Sequence, residues 1–189
     1  MHHLSILEPK NGVEAGTWFL SGIDVSRSEK RLKDLHGVFG DEGALNRMEP
    51  ERVVYSVQAH LPVPEGTPGG LFFGTTTIQP GRVGDEYFMT RGHLHLNIDR
   101  GEYYWGVQGE GMLVLMNDRR ETWAERMHPG SLHYIRRGIA HRVANTGAAP
   151  LIFGASWPSD AGHNYEVIAR DGFSARLIET GGKPTLVAK

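Results

Sequence analysis

YYWGVQGEGMLVLMNDRRETWAERMHPGSLHYIRRGIAHRVANTG, residues 103 to 147, decides the fold class. It breaks into five short apolar runs: Tyr103–Val107, Met112–Asn117, Glu121–Met127, Ser131–Ile135 and His141–Asn145. Each is strand length rather than helix length, and turn residues such as Pro129-Gly130 and Asn145-Thr146-Gly147 separate them. The rhythm continues outward. Upstream, Val53, Tyr55, Val57 and Ala59 recur with period two, and further runs lie at Leu71–Ile78 and Glu86–Thr90. Downstream come Leu151–Ser156, Tyr165–Ile168 and Phe173–Ile178, while Pro80-Gly81 and Asp99-Arg100-Gly101 supply more turns. Many short strands with little helical periodicity predict an all-β sandwich or barrel.

One helix is predicted ahead of these strands. Ser26 with Glu29 three residues on has the form of a capping box, Leu32 and Leu35 share a face, and Gly37 can end it. Such a helix packs outside the strands. The stretch Pro62–Gly70 holds three prolines and three glycines and reads as a loop. The 189 residues are a single domain, with a helix and strand extension over 1–60 and a core over about 71–180.

Composition narrows the functions. Lysine plus arginine total 20 and aspartate plus glutamate 22, so nothing favours nucleic acid or an anionic membrane as partner. Cysteine is absent, which excludes disulfides, thiolate nucleophiles and cysteine metal sites, and fits a reducing compartment. The longest apolar run, Met112–Met116, is far short of the ~20 residues of a membrane helix. Met1-His2-His3-Leu4-Ser5 lacks the basic start and apolar stretch of a secretory signal. A soluble cytoplasmic domain is expected.

Four of the ten histidine and many acidic positions belong together: His93, His95, Glu102 and His141. On a strand, His93-Leu94-His95 points both imidazoles to one face. Asn97–Gly101 looks like a turn, after which a strand running back beside the first would bring Glu102 to the same place. His141 needs a barrel to come near. Three imidazoles and a carboxylate suit Fe²⁺, Mn²⁺, Zn²⁺, Ni²⁺ or Cu²⁺. A His-x-His pair alone is more often surface or core than ligand, but the glycines around it add weight. Glu102 is followed by six residues and Gly109. Gly130 is followed by five residues and Arg136, then Gly138, two residues, His141, three residues and Asn145.

These two blocks resemble the paired signature of the cupin family, small jelly-roll-like β-barrels that bind a metal with three histidines and a glutamate. Arg136 stands where that family has proline, and the six residues between His95 and Glu102 exceed its usual gap. Thr77-Ile78-Gln79-Pro80-Gly81-Arg82-Val83-Gly84-Asp85-Glu86-Tyr87-Phe88-Met89-Thr90-Arg91-Gly92-His93-Leu94-His95 is similar to the metal block of the cupin-type glucose-6-phosphate isomerases. Trp157-Pro158-Ser159-Asp160-Ala161-Gly162-His163-Asn164-Tyr165, with Gly172-Phe173-Ser174, resembles their C-terminal block.

The resemblance implies reversible conversion of glucose 6-phosphate and fructose 6-phosphate. It implies one divalent ion per subunit on His93, His95, Glu102 and His141, with Fe²⁺ first and Mn²⁺, Zn²⁺ or Ni²⁺ as alternatives. Glu102 is the candidate to carry a proton through a cis-enediol, with a hydride shift as the other route. Thr76, Thr90 and Gly92 correspond to the phosphate contacts, and Trp157 replaces a tyrosine among them. His163 and Tyr165 match residues near the sugar, His163 as a candidate for ring opening. Period two turns Tyr104 inward with Glu102, and Tyr103 and Trp105 outward. His60, His128 and His133 read as structural, and Arg119-Arg120 and Arg136-Arg137 as solvated turns. The family also implies a homodimer, with Val53–Ala59 pairing across its interface. Rival readings are a metal cupin acting on another phosphorylated sugar, an oxygenase, and a non-catalytic sugar-phosphate sensor.

Overall fold

The computed structural model describes residues 8–189, so Met1–Ser5 lies outside the described residues. In chain order the strands are β1 (Asn11–Val13), β2 (Leu20–Gly22), β3 (Val25–Arg31), β4 (Val53–His60) and β5 (Leu71–Ile78). Next come β6 (Arg82–Val83), β7 (Glu86–Tyr87), β8 (Glu102–Gln108), β9 (Gly111–Met116) and β10 (Thr122–Met127). The last are β11 (Leu132–Ile135), β12 (Ala140–Asn145), β13 (Leu151–Pro158), β14 (Ala175–Thr180) and β15 (Lys183–Ala188). Two short α-helices interrupt them, α1 (Glu42–Asn46) and α2 (Glu166–Asp171). The chain is all-β, as composition and turn rhythm predict.

Two walls face each other. One is a six-stranded antiparallel sheet in the order β11-β8-β13-β5-β4-β3. The other joins β10-β9-β12 to β15-β14-β7-β6. The join is the extended segment after β7, where Thr90 N donates to Val143 O (2.9 Å) and Asn145 N to Phe88 O (2.9 Å). Between the walls, Ile78, Phe88, Leu113, Ile135, Val143 and Leu151 are almost wholly buried. The arrangement is consistent with a jelly roll whose strands lie in separate sheets rather than one closed barrel.

The predicted helix over Ser26–Gly37 is corrected. Ser26 and Glu29 lie in β3, paired with Ala59 and Ser56 of β4, and only Leu32–Leu35 turns, as a single 3-10 turn. Sheet pairing decides between two patterns that the sequence satisfies equally. Leu32 and Leu35 are buried, so the turn plugs the core rather than resting outside it. Asp34, not Glu29, caps it by accepting from Arg31 N (2.9 Å). The Tyr165–Ile168 run is also not a strand. Asn164 Oδ1 accepts from Glu166 N (3.1 Å), starting α2, and Gly172 at φ +62° ends it.

Val53–Ala59 cannot pair across a dimer interface as expected. β4 is bonded on both sides, to β3 and to β5, and has no free edge. No helix among the described residues is long and apolar enough to cross a membrane.

Candidate metal centre

The four candidate ligands come from both walls. Glu102 opens β8 in the six-stranded sheet, and His141 lies in β12 of the opposite wall. His93 and His95 ride the extended segment beside β12. His93 N donates to His141 O (3.1 Å) and His141 N to His93 O (2.9 Å); Leu94 exchanges bonds with Asn164. The expected hairpin between the histidine segment and Glu102 is therefore corrected. The backbone of the segment is taken up by β12, and β8 pairs with β11 and β13. The turn closed by Arg100 N on Asn97 O (3.1 Å) carries the chain from one wall to the other.

One donor atom from each of His93, His95, Glu102 and His141 lies within 4.8 Å of all the others. Glu102 Oε1 is 2.5 Å from His141 Nε2 and 3.3 Å from His95 Nε2. Even so, Nε2 of all three histidines and Oε1 of Glu102 are buried without a hydrogen-bond partner, because their lone pairs converge on a point instead of meeting a proton. An unsatisfied buried polar atom costs about 1–3 kcal/mol. Four at one point fit a cation, and the donor set fits a divalent transition ion.

Outer bonds fix the tautomers. His95 Nδ1 donates to Arg100 O (2.9 Å) and His141 Nδ1 to Ile139 O (3.0 Å), so each Nε2 keeps its lone pair. Burial, followed by the neighbouring His141, holds His93 well below the ordinary imidazole range. Burial alone would raise the Glu102 carboxyl, but the His141 and His95 imidazoles outweigh it and keep the group ionised. For His95, burial lowers the value, and the adjacent Glu102 carboxylate outweighs it to give a net rise.

A cavity of about 370 Å³ opens above this cluster. His93 and Glu102 reach it, whereas His95 and His141 lie behind them. Thr76, Thr90, Gly92 and Tyr104 line its walls, as do Trp157, His163 and Tyr165, the last two exposed, with the His163 ring 4.5 Å from that of His93. Tyr104 is buried and Tyr103 is 48% exposed, the alternation that period two predicts. His163 and Tyr165 stack at 5.8 Å with their rings 8° from parallel. Burial holds the Tyr104 phenol well above its ordinary value, and the Glu102 charge adds to the rise, so it remains a proton donor.

Lys30, Tyr55, Glu65 and Arg91 also line the cavity, and sequence reasoning missed them. Lys30 and Tyr55 are neighbours across β3 and β4. Reading that stretch as a helix concealed the face Lys30 presents. His60, His128 and His133 take no part in the cluster. His133 bridges Glu125 (2.7 Å) and Ser131 (3.0 Å), and His128 Nδ1 meets Pro129 O (3.1 Å). Arg120 is more than a solvated turn residue, since its guanidinium donates to Asp171 O (3.2 Å) and Gly172 O (3.3 Å).

The family model described as glucose-6-phosphate isomerase (GPI) matches residues 29–186. The glucose-6-phosphate isomerase of Thermococcus litoralis is 43% identical over 169 residues, which cover 87% of this chain and 88% of that protein. That of Pyrococcus furiosus is 40% identical over 173 residues, 89% and 90% of the two chains. Among solved structures, an oxalate oxidase in complex with the substrate analogue glycolate aligns at 12% identity with a TM-score of 0.46. That alignment covers 77% of this chain and 56% of the oxidase.

Proposed function

This chain belongs to the glucose-6-phosphate isomerase family, and from that premise we propose that it interconverts glucose 6-phosphate and fructose 6-phosphate above a divalent metal site. One observation carries the reading: four buried donor atoms without partners converge at the floor of a cavity walled by hydroxyls, an imidazole and a phenol. An ion held by His93, His95, Glu102 and His141, with Fe²⁺ the first candidate and Mn²⁺, Zn²⁺ or Ni²⁺ after it, supplies Lewis-acid polarisation of a carbonyl and an adjoining hydroxyl.

The protein groups do the rest. Glu102 is the carboxylate that both joins the cluster and lines the cavity, so we assign it the proton moved between the adjacent carbons. Tyr104 orients it as a donor that burial keeps protonated. His163 lines the cavity, where desolvation by its surroundings keeps the imidazole neutral, able to take the anomeric hydroxyl proton and return it to the ring oxygen as the bond from the anomeric carbon to that oxygen breaks. Tyr165, stacked on His163, fixes its plane. Thr90 Oγ1 already accepts from Val143 N (3.1 Å), which leaves its O–H to donate to a phosphate oxygen. Thr76 O–H, Gly92 N–H and the Trp157 indole N–H complete the donors assigned to that group.

A homodimer is part of the same reading. Tyr103, Tyr134 and Leu132 leave an apolar patch on β8 and β11, 48%, 56% and 67% exposed respectively. Sedimentation velocity tests it.

The decisive experiment follows fructose 6-phosphate with chelator-stripped protein under nitrogen, before and after adding Fe²⁺, Mn²⁺, Zn²⁺ or Ni²⁺. Metal-restored glucose 6-phosphate formation is the expected result. Confirmed metal binding without turnover on any ion would overturn the substrate assignment.

A further inference from the structure

We infer that Lys30 is the cationic anchor for the phosphate end of the substrate, set at the pole of the cavity opposite Glu102; this rests on the reading above. Ser28 and Lys30 are two residues apart on β3, so both side chains fall on the inner face, and both line the cavity. Across the sheet, Lys30 pairs with Tyr55 and Ser28 with Val57, which pairs in turn with Thr76. Lys30 thus lies on the wall that leads to the threonine hydroxyl.

Its neighbours are already engaged, and Lys30 is not. Arg31 bonds Glu29 (2.9 Å) and Lys33 bonds Glu51 (2.7 Å). Among the described residues Lys30 has neither an ion pair nor a side-chain hydrogen bond, although it is half-buried. The nearby Asp34 carboxylate accepts from Arg31 N, which with the surrounding cations Lys30, Lys33 and Arg91 holds it below the ordinary carboxylate range, and it forms no ion pair with Lys30. Arg91, the other cation on the wall, is tethered. Its Nη2 donates to Asp34 O (2.7 Å) and its guanidinium lies 5.9 Å from the Tyr165 ring centre.

The acids lie at the other end. Glu102 is in the ligand cluster, and Glu65 approaches Gly162 beside His163. The cavity is therefore bipolar, as a hexose phosphate is, with carbonyl and hydroxyl at one end and a dianion at the other. Hydroxyl and amide donors bind oxygen whatever its charge. Only a full cation strongly favours the dianion over an uncharged sugar, and an untethered lysine acts as such a point charge.

The test uses the metal-loaded protein with Lys30→Met and Lys30→Arg. Loss of one charge-assisted contact predicts a KM for fructose 6-phosphate raised by about 10- to 100-fold in Lys30→Met, with kcat within about threefold. The inhibition constant of inorganic phosphate should rise in step, and Lys30→Arg should recover most of both. An unchanged KM, an unchanged phosphate constant, or an arginine variant as weak as the methionine one would each overturn the inference. If Lys30→Met does not fold, Lys30→Gln carries the same readouts. Wild-type protein inactive on fructose 6-phosphate with every metal would instead sink the isomerase reading, a separate failure.

Discussion

Replacing Gly92 with alanine should weaken the metal site more than it weakens the fold elsewhere, and the size can be worked out. Gly92 has φ +79°, a left-handed conformation that costs an L-residue about 1–2 kcal/mol. A Cβ there would also lie 2.9 Å from Arg142 Nε and 3.1 Å from Phe173 Cε2. Arg142 cannot retreat easily. Its Nη1 donates to Met89 Sδ (3.0 Å), its Nη2 to Arg91 O (3.1 Å), and Phe173 lies against it at 4.3 Å. Overpacking of this kind adds about 1–3 kcal/mol. Gly138 offers the control: φ is +72° and nothing lies within 4 Å of its Cβ position, so Gly138→Ala bears only the backbone cost.

The two metal-stripped variants should differ by the overpacking alone, roughly 2–12 °C in Tm at 2–4 °C per kcal/mol for a chain of this length. If the backbone yields instead, the next residue to move is His93, whose Nε2 would leave the ligand point. Displacement worth 1.4–2.8 kcal/mol weakens Mn²⁺ binding by about 10- to 100-fold. Thermal denaturation and calorimetric Mn²⁺ titration read the two effects. Equal Tm and equal Mn²⁺ affinity for Gly92→Ala and Gly138→Ala would refute the reasoning.

Three further outcomes are expected. Metal at a hundred times its Kd stabilises the native state by about 2.7 kcal/mol, so chelation should lower Tm by roughly 5–11 °C; in His141→Ala, which loses a buried ligand, the chelator shift should vanish. Glu102→Gln should retain part of its metal affinity in titration while losing turnover of fructose 6-phosphate; a fully active variant removes Glu102 as the proton carrier. Asn145 is fully buried, donates to Ile78 O and Ala149 O and accepts from Gly147 N, each at 2.9 Å. Asn145→Leu removes the donor to the Ile78 and Ala149 carbonyls, while Gly147 N keeps Glu110 O (3.1 Å), and should cost at least about 2 kcal/mol in urea denaturation; a loss under 1 kcal/mol would contradict that role.

The strands around the site were legible because their signal is local. β5 occupies the whole predicted Leu71–Ile78 run, and β8 turns Tyr104 in and Tyr103 out as alternation requires. That His93, His95, Glu102 and His141 cluster was legible for a different reason, since their glycine-spaced blocks resemble the paired cupin signature. What escaped was pairing. Ser26, Glu29, Leu32 and Leu35 satisfy a helix pattern, yet β4 offers β3 a ladder from Val25 to Arg31, and tertiary pairing overrides a capping signal of roughly 1 kcal/mol. Lys30 was lost to view with that strand. The partner of the His93 segment was misjudged similarly, because a turn can join two strands of one sheet or carry the chain between two sheets. Spacing alone does not distinguish these.

That crossing of the chain has a mechanical consequence. Had His93, His95 and Glu102 formed one hairpin, an ion would only rigidify that hairpin. Here Glu102 belongs to the six-stranded sheet, and the three histidines belong to, or lie along, β12 in the opposite wall. A cation at that point would therefore tie the two walls together at the base of the cavity. The backbone carbonyls of Arg100 and Ile139 hold His95 and His141 in the ligand tautomer. The walls that an ion there would join also line the cavity: Thr76 and Tyr104 on one side, Thr90 and Gly92 on the other. On the proposed function, loss of one ligand should therefore impair substrate binding as well as chemistry, read as a raised KM for fructose 6-phosphate in His141→Ala.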